Sequence, residues 1–384
     1  EARVLSGSGT IEANGGNNTT TGGSIAGAGG GGRVAVRYED VTGFDLSKIT
    51  AKPGDAATTD VGSDAGAGTV FLLDELNDTF GSLIVDSRGN SPAGVTPLRA
   101  IGSATSTALA ANTLTRSSAS FPVPNATTRA VGLVGLELNP NTAQGQTFTV
   151  ISNTATTLTT DPADGAMTAI AAPGNRYTGV YTFDDFQVLG GANVSTSDDI
   201  VVVDPSADRT RIRGSLAARR LDTGTAELFL DTGTATVASV TAATLTLSSS
   251  SLLTAESTTT TSETRLEIDA DTVTIDATSR IDVTSKGYLG GQQPGNAINN
   301  GRTIGNAAGS SLDTGGSYGG LAGGHSSRRD LVYGDFKNPD HPGSGGGGHT
   351  NFNCTVCVGG NGGGLVRIVA DTIALNGRIS ANGG

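Results

Sequence analysis

The sequence predicts an all-β fold, a parallel β-solenoid with three sheets, on three observations. Apolar and polar residues alternate along many short runs, as in "RLEID" (265–269) and "TVTID" (272–276). Successive side chains of a strand point to opposite faces, so such runs read as half-buried strands. The runs also repeat along the chain. Finally, no long apolar stripe follows the helical period, and β-branched residues dominate the apolar positions. The one helical candidate is the short stretch "TSTALAANT" (105–113).

The repeat appears when the chain is superposed on itself. Leu266, Ile268, Val273 and Ile275 fall on Val366, Ile368, Ile373 and Leu375, 100 positions on. A shift of 28 residues lays 244–257 over 272–285. Further copies lie at 32–54 and 226–237. The shared unit is a strand, a polar corner, a second strand, a second corner and a third strand. Alternation points Leu266, Ile268, Val273, Ile275, Ile281 and Val283 to one side. A lone unit of this size cannot bury that side, but units stacked strand upon strand can. Gly, Asn, Asp and Ser then collect at the corners, where tight turns favour them.

Five segments follow in order. Residues 1–98 read as the first part of the solenoid, ending with the strands "TVFLL" and "GSLIVD". Residues 99–179 break the pattern with a Pro-punctuated stretch and read as an inserted small β domain. Its own core would be Leu133, Val134, Leu136, Leu138, Phe148, Val150, Ile151 and Leu158. It is either a grafted binding module or a decoration covering a groove. Residues 180–286 resume the solenoid. Residues 287–364 form a long Gly-rich loop region, ordered because Tyr288, Tyr318, Tyr333, Phe336 and Phe352 would anchor it. Residues 365–384 read as a final solenoid coil. The phrase "GSGTIEANGG" (7–16) is echoed by "LNGRISANGG" (375–384). The echo fits the sameness of all coils, or one module of a longer tandem array.

Composition excludes several functions. The 384 residues include 58 Gly and no Trp, and the net charge is −12. Lys and Arg form no dense run, which argues against nucleic acid and against an anionic membrane surface. No apolar stretch approaches the roughly 18 residues of a membrane span, so membrane insertion is not expected.

Several segments look familiar together. "GGGGRVAVRYEDVTGFDLSKITAKPG", "GAGTVFLLD" with "GSLIVD", and "VYGDFKNPDHPGSGGGG" with "GGNGGGLVRIVADTIALNGRISANGG" resemble parts of very large glycine-rich bacterial surface proteins. Those proteins carry right-handed parallel β-helix modules in tandem. The resemblance covers two thirds of the chain and leaves out 99–179. It implies a right-handed β-helix in an extracellular, cell-surface or matrix-forming bacterial protein, and it carries over no catalytic residue.

Local chemistry centres on Cys354 and Cys357, the only cysteines, in "NCTVC". The histidines, His325, His341 and His349, lie nearby in sequence. Cys354, Cys357, His341 and His349 could complete a tetrahedral Zn²⁺ site. The same pair could form a Cys354–Cys357 disulfide, as an oxidising exterior favours, or stay free. Surplus carboxylates offer ligands for Ca²⁺, though no cofactor is required. Enzymatic β-helices need carboxylates converging in a groove. Here Asp184/Asp185 and Asp198/Asp199 are adjacent pairs that face opposite ways, and "NPDH" (338–341) lies in the Gly-rich loop. The Thr-rich "TTTTSET" (258–264) is not ranked over several coils as a flat ice-binding array would be. The expectation is therefore a non-enzymatic structural or adhesive module of a fibrous surface protein. It would self-associate into a fibre or array and touch surface polysaccharide through its loops. The alternative is a β-helix that binds or degrades polysaccharide, marked by three carboxylates converging beside an aromatic ring.

Overall fold

The computed structural model describes residues 1–18, 27–55, 65–89, 94–127, 131–203, 209–351 and 354–384, and the side chains of all of these except 350, 351 and 354–356. The chain is mostly β, with mixed and purely parallel sheets. The only helices among the described residues are three-residue 3-10 turns. The stretch expected to be helical at 105–113 instead makes the strands Ala108–Leu109 and Thr113–Thr115. Its Thr residues favour extended backbone, and it has too few residues for a stable helix. Internal contacts divide the chain into two units, Glu1–Ala226 and Glu227–Gly384.

In the second unit, Glu227–Asp231, Ser239–Ser248, Leu266–Ile275 and Val366–Leu375 pair in parallel, in that order. Leu266 lies beside Val366 and Ile275 beside Leu375, the register that the repeat predicts. Thr244 lies beside Thr272, again as predicted. A second parallel ladder runs through Thr234–Thr236, Leu252–Thr254, Arg280–Asp282 and Arg378–Ser380. Leu266, Val273 and Ile281 are fully buried. Each such aliphatic side chain contributes about 1.5–3 kcal/mol by leaving water. Along Leu266–Ile275 the alternation skips between the buried Ala270 and Val273. That skip falls at Asp271, where the sequence places a polar corner, yet the strand runs unbroken from Leu266 to Ile275.

The glycine-rich region of this unit is packed, though it is neither helix nor strand over most of its length. Three of its segments bond one another in a triangle. The Gly291 N–H donates to the Gly346 oxygen (2.8 Å), Gly346 to Gly360 (2.9 Å) and Gly359 back to Gly291 (2.8 Å). Strands in a sheet have neighbours only in a plane, so three mutually bonded segments form a bundle. Such a bundle has no room at its centre for side chains, which is why collagen needs Gly at its axis. A Cβ on Gly362 would lie 1.8 Å from the Gly343 carbonyl oxygen. Three of the five expected aromatic anchors, Tyr288, Tyr318 and Tyr333, come together here. Phe336 does not anchor: it is 91% exposed on its loop. Phe352 lies outside the described residues.

The first unit departs from uniform parallel stacking. Ala2–Ser6, Arg33–Thr42 and Thr69–Asp74 pair in parallel over a core of Val34, Val36, Tyr38, Val70 and Leu72. Ser82–Asp86 then runs antiparallel to Thr69–Asp74, so the expectation of unbroken parallel coils fails here. Two carboxylates build this reversal. Asp74 accepts from the N–H groups of Leu76 and Asn77, and Asp184 accepts from those of Thr79, Phe80 and Gly81. Parallel pairing resumes from Ser82–Asp86 to Asp185–Leu189 and on to Arg209–Ile212.

Residues 103–183 form a closed ring of antiparallel strands. Ser103–Thr105 pairs with Arg176–Phe183, which pairs in turn with Glu137–Asn139. Phe148–Asn153, Thr157–Thr160 and Thr113–Thr115 follow, and Ala108–Leu109 closes the ring. Leu133, Leu136, Leu138, Phe148, Val150 and Leu158 pack together inside, as the sequence predicts. Val134 and Ile151 do not join them and are exposed. Ile151 follows the inward Val150 and so faces outward by simple alternation. Arg176–Phe183 serves both architectures. Its first half closes the ring, and Val180–Phe183 pair in parallel with Asp199–Val202.

Candidate binding site

A concave site lies wholly in the second unit, beside the glycine bundle. Its foundation is Glu263, on the turn that follows Leu252–Thr254. The Thr residues of 258–264 are used to fold this turn. Thr264 Oγ1 donates to the Glu256 carbonyl (2.7 Å) and pairs with Thr258 Oγ1 (3.2 Å). Glu263 Oε1 accepts from the hydroxyl of Tyr288, which is fully buried, and from the Gly305 N–H (3.2 Å). Burial and the adjoining Glu263 carboxylate both push the Tyr288 hydroxyl far above its ordinary range. It therefore stays protonated and acts as a fixed donor.

Three tyrosines and a histidine pack on this base. The Tyr333 ring meets Tyr288 edge-on at 6.5 Å, Tyr318 at 4.9 Å and His341 at 6.3 Å. Tyr333 donates to the Pro342 carbonyl (2.6 Å) and accepts from Ser344 (3.1 Å), whose hydroxyl also pairs with Thr303 (2.8 Å). Burial raises the Tyr333 hydroxyl to about 12. His341 stands between two carboxylates, with Nδ1 3.5 Å from Glu263 and Nε2 3.6 Å from Asp340. Tyr318, His341 and Ser344 line a cavity of about 620 Å³, whose remaining wall is mostly glycine main chain from the bundle. The Tyr318 hydroxyl is buried beside the His341 main-chain N–H and makes no hydrogen bond of ordinary geometry.

The four residues considered for Zn²⁺ are divided between two places. His341 belongs to the tyrosine cluster. His349 sits directly across a strand pair from Cys357, and its Nδ1 lies 2.6 Å from Asp313. Cys357 is disulfide-bonded, and the chain has one other cysteine, Cys354, whose side chain lies outside the described residues. Among the described residues no three or more His, Cys, Asp or Glu gather closely enough to hold a metal ion.

The adjacent acid pairs hold the fold of the first unit together. Asp184 caps the reversal, and Asp185 accepts from Gln187 (2.8 Å). Asp198 accepts from the N–H groups of Ile101 (2.9 Å) and Gly102 (2.6 Å), where the closed ring begins. Asp199 pairs with Arg219. Burial raises the Asp198 carboxyl to about 6 and moves Asp199 upward too.

Spacing in the sequence singled out His341 but missed Glu263, which a distant turn supplies. The tyrosines were legible only as anchors, because the contacts between their rings depend on how the glycine segments fold back. No protein-family model, curated protein or solved structure matches the chain.

Proposed function

We propose that the chain is a β-solenoid module, with three-sided coils wound right-handedly, working as a structural or adhesive part of an extracellular fibrous protein. The observation that carries this reading is the in-register parallel stacking of Leu266–Ile275 on Val366–Leu375 across an excursion of nearly a hundred residues. A crossover between parallel strands of one sheet is right-handed in nearly every case. Stacked main-chain ladders give stiffness and reach, and the long excursions between strands supply contact surfaces. The disulfide at Cys357 suits an oxidising, extracellular setting. The resemblance to bacterial surface proteins points the same way.

The reading locates where modules join. Val366–Leu375 has one partner strand among the described residues. Ile373 and Leu375, which continue the inward ranks, are 46% and 48% exposed. An uncovered edge of this kind is a template for further pairing. Hydrogen exchange at low and high protein concentration tests this. Amides of 266–275 should be protected at both. Those of 366–375 should gain protection only as the chain associates with itself, followed by sedimentation velocity. Fast exchange throughout 266–275 would overturn the stacked-coil reading.

A further inference from the structure

We propose that the cavity lined by Tyr318, His341 and Ser344 binds a neutral saccharide, so that the glycine bundle carries the adhesive function. This extends the adhesive half of the preceding reading and does not depend on coil stacking. Four observations carry it.

The first is size. At about 620 Å³ the cavity falls within the range of small-molecule sites and admits more than one sugar ring. The second is the wall. Glycines 343, 346, 360 and 362–364 leave main-chain groups close to the cavity, uncovered by side chains. The N–H groups of Gly343, Gly346, Gly362 and Gly364 bond within the bundle, but a carbonyl oxygen keeps a second lone pair to which a sugar hydroxyl can donate. The third is Tyr318, which stands on the cavity wall. Its ring offers an apolar face to the C–H side of a pyranose, and its contact with Tyr333 fixes the orientation. The fourth is charge. No Lys or Arg lines the cavity among the described residues, while Glu263 and Asp340 flank His341. Phosphates and acidic sugars are therefore disfavoured.

Titrating cellotriose, maltotriose and tri-N-acetylchitotriose into the full chain tests the proposal. Saturation-transfer NMR reads the ligand. Intrinsic fluorescence reads the protein, whose emission comes from tyrosine because it has no Trp. At least one trisaccharide should bind saturably, with a dissociation constant of about 1 mM or tighter. Tyr318→Ala removes the ring, and His341→Ala removes the neighbouring imidazole. Each should weaken binding about tenfold while the thermal unfolding midpoint stays near that of the parent. Absence of saturable binding to all three sugars would overturn the proposal. So would undiminished binding by both variants, or tighter binding of trigalacturonate than of any neutral trimer. None of these failures touches the protection of 266–275, which tests the stacked coils separately.

Discussion

Asp198 couples protonation to the junction between the closed ring and the parallel strands. Its carboxylate holds the N–H groups of Ile101 and Gly102, and a Cβ on Gly179 would lie 2.1 Å from Asp198 Oδ2. Only glycine at 179 lets the carboxylate approach this closely. Burial outweighs the two hydrogen bonds, and the carboxyl titrates at about 6 in the folded chain against an ordinary 3.8. The folded state thus holds this proton more tightly than the unfolded state. The resulting stabilisation is complete below the ordinary value and is lost as pH rises through about 6. It amounts to about 2–3 kcal/mol, and Asp199 shifts in the same direction. Asp276 acts oppositely but in a lower window. Although its slight burial opposes ionisation, hydrogen bonds from Ser249, Ser279 and Thr278 hold its carboxyl far below the ordinary range. Its contribution is lost only as pH falls below the usual carboxylate value. Thermal unfolding should therefore occur at a higher temperature at pH 5 than at pH 7. Asp198→Asn should flatten most of that difference. A parent midpoint that rises steadily from pH 5 to pH 7 would contradict the assignment.

At the scale of elements, two kinds of packing coexist in the second unit, and substitution separates them. Leu266 is fully buried between neighbouring strands, so Leu266→Ala should cost about 3 kcal/mol in chemical denaturation. Ile373, which lies beside the inward Val273, continues the inward face on the uncovered strand, and Ile373→Ala should cost less than about 1 kcal/mol. In the glycine bundle the argument turns on space. A Cβ on Gly345 would lie 2.2 Å from the Leu289 carbonyl oxygen, whereas one on Gly319 meets nothing within 4 Å. Gly345→Ala should open the bundle to limited proteolysis, and Gly319→Ala should leave the cleavage pattern unchanged. The stacked strands were legible in the sequence because inward aliphatic residues recur at fixed offsets, and parallel pairing preserves those offsets. The reversal after Asp74 was not legible. "DELNDTFG" reads like any polar corner, and what fixes it is Asp184, more than a hundred residues further along. The tyrosine cluster was hidden for a related reason: glycine-rich sequence has no period, so the spacing of Tyr288, Tyr318 and Tyr333 does not reveal that their rings meet.

At the scale of the whole molecule, each unit leaves a strand edge with a single partner among the described residues, and the two edges differ in kind. Ala2–Ser6 is short and carries Arg3, paired with Glu39 at 3.4 Å. Short, charged edges resist further pairing. Val366–Leu375 is ten residues long, and three of its aliphatic residues, Val369, Ile373 and Leu375, are about half exposed. Association of the chain with itself should therefore run through Val366–Leu375. Two copies of this strand can pair antiparallel with Val369 opposite itself. That register sets Arg367 of each copy opposite Asp371 of the other, and opposite charges facing across strands stabilise the pair. The self-facing position gives a sharp test by sedimentation velocity. Val369→Lys and Val369→Glu should each dissociate the assembly, because like charges then face one another across the twofold axis. An equimolar mixture of the two variants should reassociate, since Lys then faces Glu. Val4→Lys should leave association intact. If the mixture stayed monomeric while Val4→Lys abolished association, the joining edge would be Ala2–Ser6, and Val366–Leu375 would need another cover.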